Sequence, residues 1–210
     1  MHAKPNVAVW MSVAFAVSAA CAVIIIVLFG AGEDGTVVAL RATARISFLL
    51  FFPAYVGGAL VTLFGARFEP VRRRGRAFGL AFAAAHFPHV VLIAWLCWIG
   101  APPAAPVFAV FGVAAVFVYL MALCSINRVR LALGPVGWQM LQFFGMNYIA
   151  YAFAKDFVKL HHYDNVAFVL AYLPFGILCA LGPLLVVTAL ALRTGGGQAW
   201  MSVRTKPAGE

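Results

Sequence analysis

Charge is what this chain has least of. Charged residues make up 10% of its 210 residues and hydrophobic residues 65%. An average soluble chain carries about 25% charged and about 45–50% apolar residues, so a water-facing surface cannot be assembled here and most of the exterior must face lipid. Acidic residues are the rarer sign, six against fifteen Lys and Arg, for a net charge of +9. Such an excess can mark a nucleic-acid binder. These basic residues form no domain of their own, however. They sit in short clusters between apolar runs, as in the cytoplasmic loops of membrane proteins, which argues against nucleic acid as a partner. The four cysteines, Cys21, Cys97, Cys124 and Cys179, show no CxxC spacing and read as small buried hydrophobes. There is no Gly-rich phosphate loop, dinucleotide fingerprint or Ser-His-Asp arrangement, and no tandem or heptad repeat. The ten-residue alternating segments of a membrane β-barrel are also absent.

What is present is a series of apolar runs, each near the roughly 20 residues that one helix needs to cross a bilayer. They cover Val7–Gly30, Val38–Phe64, Arg76–Ile99, Ala105–Ile126, Val136–Leu160 and Val166–Leu192. The first follows Lys4 and has no convincing small-residue cleavage site after it, so it reads as a retained helix rather than a leader. The expected fold is an all-α integral membrane protein, a six-transmembrane-helix bundle over residues 1–194. Residues 195–210, which open on Gly195-Gly196-Gly197, are expected as a flexible cytoplasmic tail. Arg67, Arg72, Arg73, Arg74 and Arg76 fall between the second and third runs, Arg128 and Arg130 between the fourth and fifth, and Arg193, Arg204 and Lys206 after the sixth. In a six-span chain these segments share one side with Lys4. The positive-inside rule then places both termini in the cytoplasm, and the expected location is the inner (plasma) membrane.

Polar residues inside such spans are functional candidates by default. His86 and His89 stand at i and i+3 in the third run, on one helical face, among Ala81, Ala83, Ala84 and Ala85 that let a planar group approach. Pro88 between them can kink the helix. Neutral imidazoles in an apolar pocket suit axial ligation of a b-type haem; the alternative is a pair of histidines bonded to neighbouring helices. Arg41 and Arg45, one turn apart at the outer end of the second run, could pair with haem propionates or a quinone headgroup, or could snorkel. In the fifth run the unusual residues are Gln142, Asn147, Lys155 and Asp156. Asp156 has Lys155 and Lys159 beside it as ion-pair partners. His161 and His162 fall at the end of that run, too far outward to share a haem with His86 or His89.

The chain resembles the ferric-reductase-like transmembrane domain, and within it the haem-binding membrane subunit of bacterial methionine-sulfoxide reductase systems. The segments that carry the resemblance are Ala39-Leu40-Arg41, the arginine cluster followed by Gly79-Leu80 and a histidine, Ala122-Leu123-Cys124-Ser125, and Leu133-Gly134-Pro135-Val136-Gly137-Trp138-Gln139-Met140-Leu141. The resemblance implies haem b held by histidines of spans three and five, with His89 the counterpart in span three and His86 one turn inward. The span-five positions hold Gln142 and, about four turns later, Lys155; no histidine occurs between Trp138 and Leu160. Deprotonated lysine can ligate haem iron, and the depth difference between His89 and Lys155 is roughly 7–8 Å. The implied function is a membrane-embedded electron-transfer subunit without a catalytic domain of its own. It would pass electrons outward from a cytoplasmic or quinol donor, with a redox partner protein or another membrane subunit. The competing readings are a non-haem relative serving as scaffold or interaction subunit of a membrane complex, and a small transporter lined by Arg41, Arg45, Lys155 and Asp156. No inverted repeat supports the last.

Overall fold

The computed structural model describes residues 6–158 and 166–204. Lys4, Lys159, His161, His162 and Lys206 lie outside the described residues. In hydrocarbon a backbone must pair its own polar groups, and the apolar runs accordingly become helices. Helix α1 spans Val7–Phe29, its Asn6 cap accepting from the Ala8 N–H at 3.2 Å. A short reversal through Gly30 (φ +88°) leads to α2, Glu33–Phe64, which opens on Glu33 and Asp34 at the positive end of its dipole. The reversal is tight: a Cβ on Gly35 would run into the Gly30 carbonyl oxygen, so this position requires glycine.

After α2 come a 3-10 turn, Ala66–Phe68, and the short α3, Glu69–Arg73. Here Glu69 accepts from Arg72 at 2.7 and 2.8 Å and from Arg73 at 2.9 Å. These hydrogen bonds, Arg72's first, lower the pKa of the half-buried carboxyl to about 2. Helices α4 (Gly75–Trp98), α5 (Ala105–Cys124), α6 (Asn127–Phe157) and α7 (Val166–Arg204) follow.

Helices α1, α2 and α4 pack on one another, α5 lies on α6, α6 on α7, and α7 returns to α2. Small residues make the first contact: Ala81 and Ala85 of α4 have no exposed surface and meet Ala14 of α1. Between the helices lies an aromatic core of Phe48, Phe51, Phe82, Phe153 and Phe157. One end of the bundle is tied by Arg76 donating to the Ser125 carbonyl at 2.9 Å and by Arg193 donating to Thr62 Oγ1 at 2.6 and 3.1 Å. Trp95 ties the other end, its indole N–H reaching the Ala31 carbonyl at 2.8 Å. Arg67, Arg72, Arg73, Arg74 and Arg130 gather at the first end, called the arginine end below.

The all-α expectation holds over the described residues, and five helices, α1, α2, α4, α5 and α7, are long and apolar enough to cross a membrane. The remaining long helix, α6, carries Gln139, Gln142, Asn147, Lys155 and Asp156 and is not among them. Its range joins two helices across a break at Gly134 (φ +73°, ψ 169°); the second opens at Pro135, beside the expected Val136, and a helical segment from Asn127 precedes it. Helix α7 runs to Arg204. Of the cysteines, Cys124 and Cys179 are buried as expected, whereas Cys97 near the end of α4 is exposed.

Candidate functional site

The site begins with the sequence of α4. The alanines before His86 bring α4 close to α1 and α2, and Ser18 of α1 donates to the Ala85 carbonyl at 2.7 Å. Pro88 offers no N–H to the carbonyl one turn before it. His86 and His89 project from the same face, their rings stacked with centroids 5.0 Å apart and planes 21° apart. Both side chains turn to the bundle: His86 lies 5.7 Å from the ring of Phe82 and 6.3 Å from Tyr119 of α5.

The two rings differ in their bonding. His89 Nδ1 is 3.0 Å from Thr43 Oγ1, and the same hydroxyl reaches the carbonyls of Ala39 at 2.9 Å and Leu40 at 3.1 Å. A hydroxyl has one proton. With that proton on a carbonyl of its own helix, Thr43 accepts from His89 Nδ1–H, and the lone pair of the neutral imidazole stands on Nε2. This tautomer is inferred from the hydrogen-bond network. An imidazole with one nitrogen anchored and the other free is how proteins present histidine to a metal. His86 has no such anchor. Its Nδ1 is buried without a hydrogen-bond partner, as are Tyr119 Oη, Ser47 Oγ and Arg45 Nε among the described residues.

The other expected site residues are dispersed. Arg41 is exposed. Arg45 turns inward, its guanidinium 4.7 Å above the ring of Tyr172 and 5.8 Å from that of Phe175, both on α7. Lys155 is exposed, and its neighbour Asp156, 100° further round the helix, lies within electrostatic reach of His89 and Cys179. Gln142 shares a helix face with Ile149 and Phe153, yet at its level that face is open and Gln142 is exposed. The structure thus brings His86 and His89 together with Thr43 and Tyr119, and does not bring Gln142, Lys155 or Arg41 to them. Thr43 and Tyr119 were missed in the sequence. The available clue was Thr43 and Ser47, one turn apart in an apolar span, since small polar residues mark helix–helix contacts in membranes.

His89 can offer Nε2. The two imidazoles lie nearly parallel on one helix face and cannot bind opposite faces of one iron. On α6 the buried Ile149, Phe153 and Phe157 have no donor atoms, and Asp156 is the group of that helix within electrostatic reach of His89. Among the described residues no group of three or more His, Cys, Asp and Glu is placed to hold a metal ion by itself.

No family model matches the chain, and no curated protein or solved structure matches it. The fold defines the class: an all-α chain with five helices long and apolar enough to cross a membrane, as in multi-pass membrane proteins.

Proposed function

We propose that the chain is a six-crossing inner-membrane subunit of a ferric-reductase-like electron-transfer system, with its working centre at the α4 histidine pair. The observation that carries this reading is the 3.0 Å contact of His89 Nδ1 with Thr43 Oγ1, which, with Thr43 as the acceptor, puts the lone pair on Nε2. Haem b is the group this arrangement suits, held through His89 from one side, and bound there it would supply one-electron transfer. The chain's own part is to hold the imidazole in one tautomer, to surround the site with Phe82 and Tyr119, and to keep water out. Arg45, inward and partly unpaired, is the cation available to a carboxylate or quinone headgroup. The donor and acceptor are a quinol or cytoplasmic reductant and a partner protein outside.

A haem with one protein ligand is five-coordinate. The dithionite-reduced spectrum of purified protein is therefore expected to be broad, b-type and shifted by carbon monoxide. A sharp band indifferent to carbon monoxide would mean two protein ligands and overturn one-sided attachment. A colourless preparation would instead favour the haem-free scaffold reading. That reading draws support from Phe48, Phe82 and Phe153, which pack tightly on the bundle side of the histidines.

The sixth crossing is assigned to α6. From Pro135 to Phe157 it rises about 35 Å, enough to span despite its polar residues. The arginine end is assigned to the cytoplasm, and both termini with it. A cysteine placed at Arg74 should react with an impermeant maleimide only in opened cells, whereas Cys97 at the opposite end should react in intact ones. Labelling in the reverse order would sink the orientation.

A further inference from the structure

The kink in α6 makes a hollow that the histidine site does not use. Gly134 takes a left-handed φ of +73° and Pro135 follows, so the first turns of α6 bend away from the rest. The inside of the bend is a cavity of about 360 Å³ lined by Arg130, Leu131, Gly134, Pro135, Trp138 and Gln139. It lies at the arginine end, a few residues beyond the Ser125 carbonyl that Arg76 holds. Arg130 is exposed and has no ion pair among the described residues; Glu69, at the same end, is taken by Arg72 and Arg73.

Of the apolar lining, Leu131 is 80% exposed, and Val136, which follows the lining Pro135, is 71% exposed. A free cation, an indole and bare aliphatic side chains at one level match the chemistry of the bilayer boundary, where a phosphate sits above acyl chains. We propose that this hollow binds an anionic phospholipid, its phosphate on Arg130, its glycerol region against Trp138 and Gln139, and its acyl chain along Leu131 and Val136. A free phosphate would satisfy Arg130 and leave the apolar wall bare, so the lipid is the occupant that uses the whole surface. The inference rests on the chain lying in a bilayer and is independent of the histidine pair.

The test is quenching of Trp138 fluorescence in vesicles by lipids brominated in the acyl chain, taking the difference between wild type and Trp138→Phe. Brominated phosphatidylglycerol should half-quench Trp138 at about fivefold lower mole fraction than brominated phosphatidylcholine, the factor expected for one basic residue at an anionic surface. Arg130→Gln should abolish the preference and Arg130→Lys should keep it. Arg67→Gln, which removes an exposed cation from the same end, should leave it unchanged. Equal quenching by the two lipids overturns the proposal, and so does an Arg67→Gln loss as large as that of Arg130→Gln, which would mean diffuse surface charge. Loss of the preference in millimolar inorganic phosphate at constant ionic strength would make this a free-anion site and overturn the lipid assignment. An Arg130-dependent loss of quenching on self-association would assign the hollow to a second copy of the chain.

Discussion

His89→Ala is expected to remove the reduced haem absorbance of the purified protein entirely, while His86→Ala leaves most of it. The two histidines lie on one face, stacked 5.0 Å apart, so depth does not separate them. Their hydrogen bonds do. His89 has its Nδ1 fixed by Thr43 at 3.0 Å, which holds the ring and directs the lone pair to Nε2. His86 has a buried Nδ1 with no hydrogen-bond partner, so no such bond fixes its tautomer. The same logic makes Thr43→Val the informative companion. It keeps the shape and removes the acceptor, and loss of such a supporting partner typically weakens a metal site about 10–100-fold. The measurement is haem content per protein after titration with a competing haem acceptor. Full haem retention in His89→Ala, or no difference between Thr43→Val and wild type, would refute the assignment.

Phe48→Ala is expected to cost about 3–5 kcal/mol, as for other fully buried aromatic truncations. Phe48 is 2% exposed, and its ring stands 5.1 Å from Phe153, 5.3 Å from Phe157 and 5.9 Å from Phe175. It touches both α6 and α7 from α2, at the centre of the aromatic cluster. In a bilayer the driving force for this contact is packing rather than escape from water, so a void at the centre is not relieved by lipid. Phe144→Ala removes the same ring from the 55% exposed face of α6 and should change stability little. Thermal unfolding of the two variants in detergent would decide the point: equal midpoints would mean that Phe48 is not at the junction.

Much of this architecture could be read from composition alone, because lipid permits so few backbone solutions. The starts of α1 and α5 and the end of α2 fall where the apolar runs predict them, at Val7, Ala105 and Phe64. The helix that follows Gly134 opens at Pro135, beside the predicted Val136, because a φ of +73° and a ψ of 169° break the chain there; the helical segment from Asn127 that precedes the break mixes polar with apolar residues and was not legible as a run. For the site, the choice of His86 and His89 followed from the scarcity of ionisable residues in apolar runs. Gln142 and Lys155 stand at the positions the family resemblance implies for span five, and a position along a helix does not say whether a neighbouring helix covers it. One residue, 100° of rotation, separates exposed Lys155 from Asp156, which lies near His89.

By itself, then, the sequence determined the class of structure and the one helix face where imidazoles meet. Both depend on local composition and on the 3.6-residue period. The tertiary structure alone decided which histidine is anchored, what stands opposite it and where α6 opens a hollow. Those follow from contacts between residues as far apart as Thr43 and His89, and from a φ of +73° at Gly134 that sets the course of everything after it. A hydrogen bond across two helices exists only once their separation and rotation are set, and that is done by the packing of alanine and phenylalanine side chains along the whole interface.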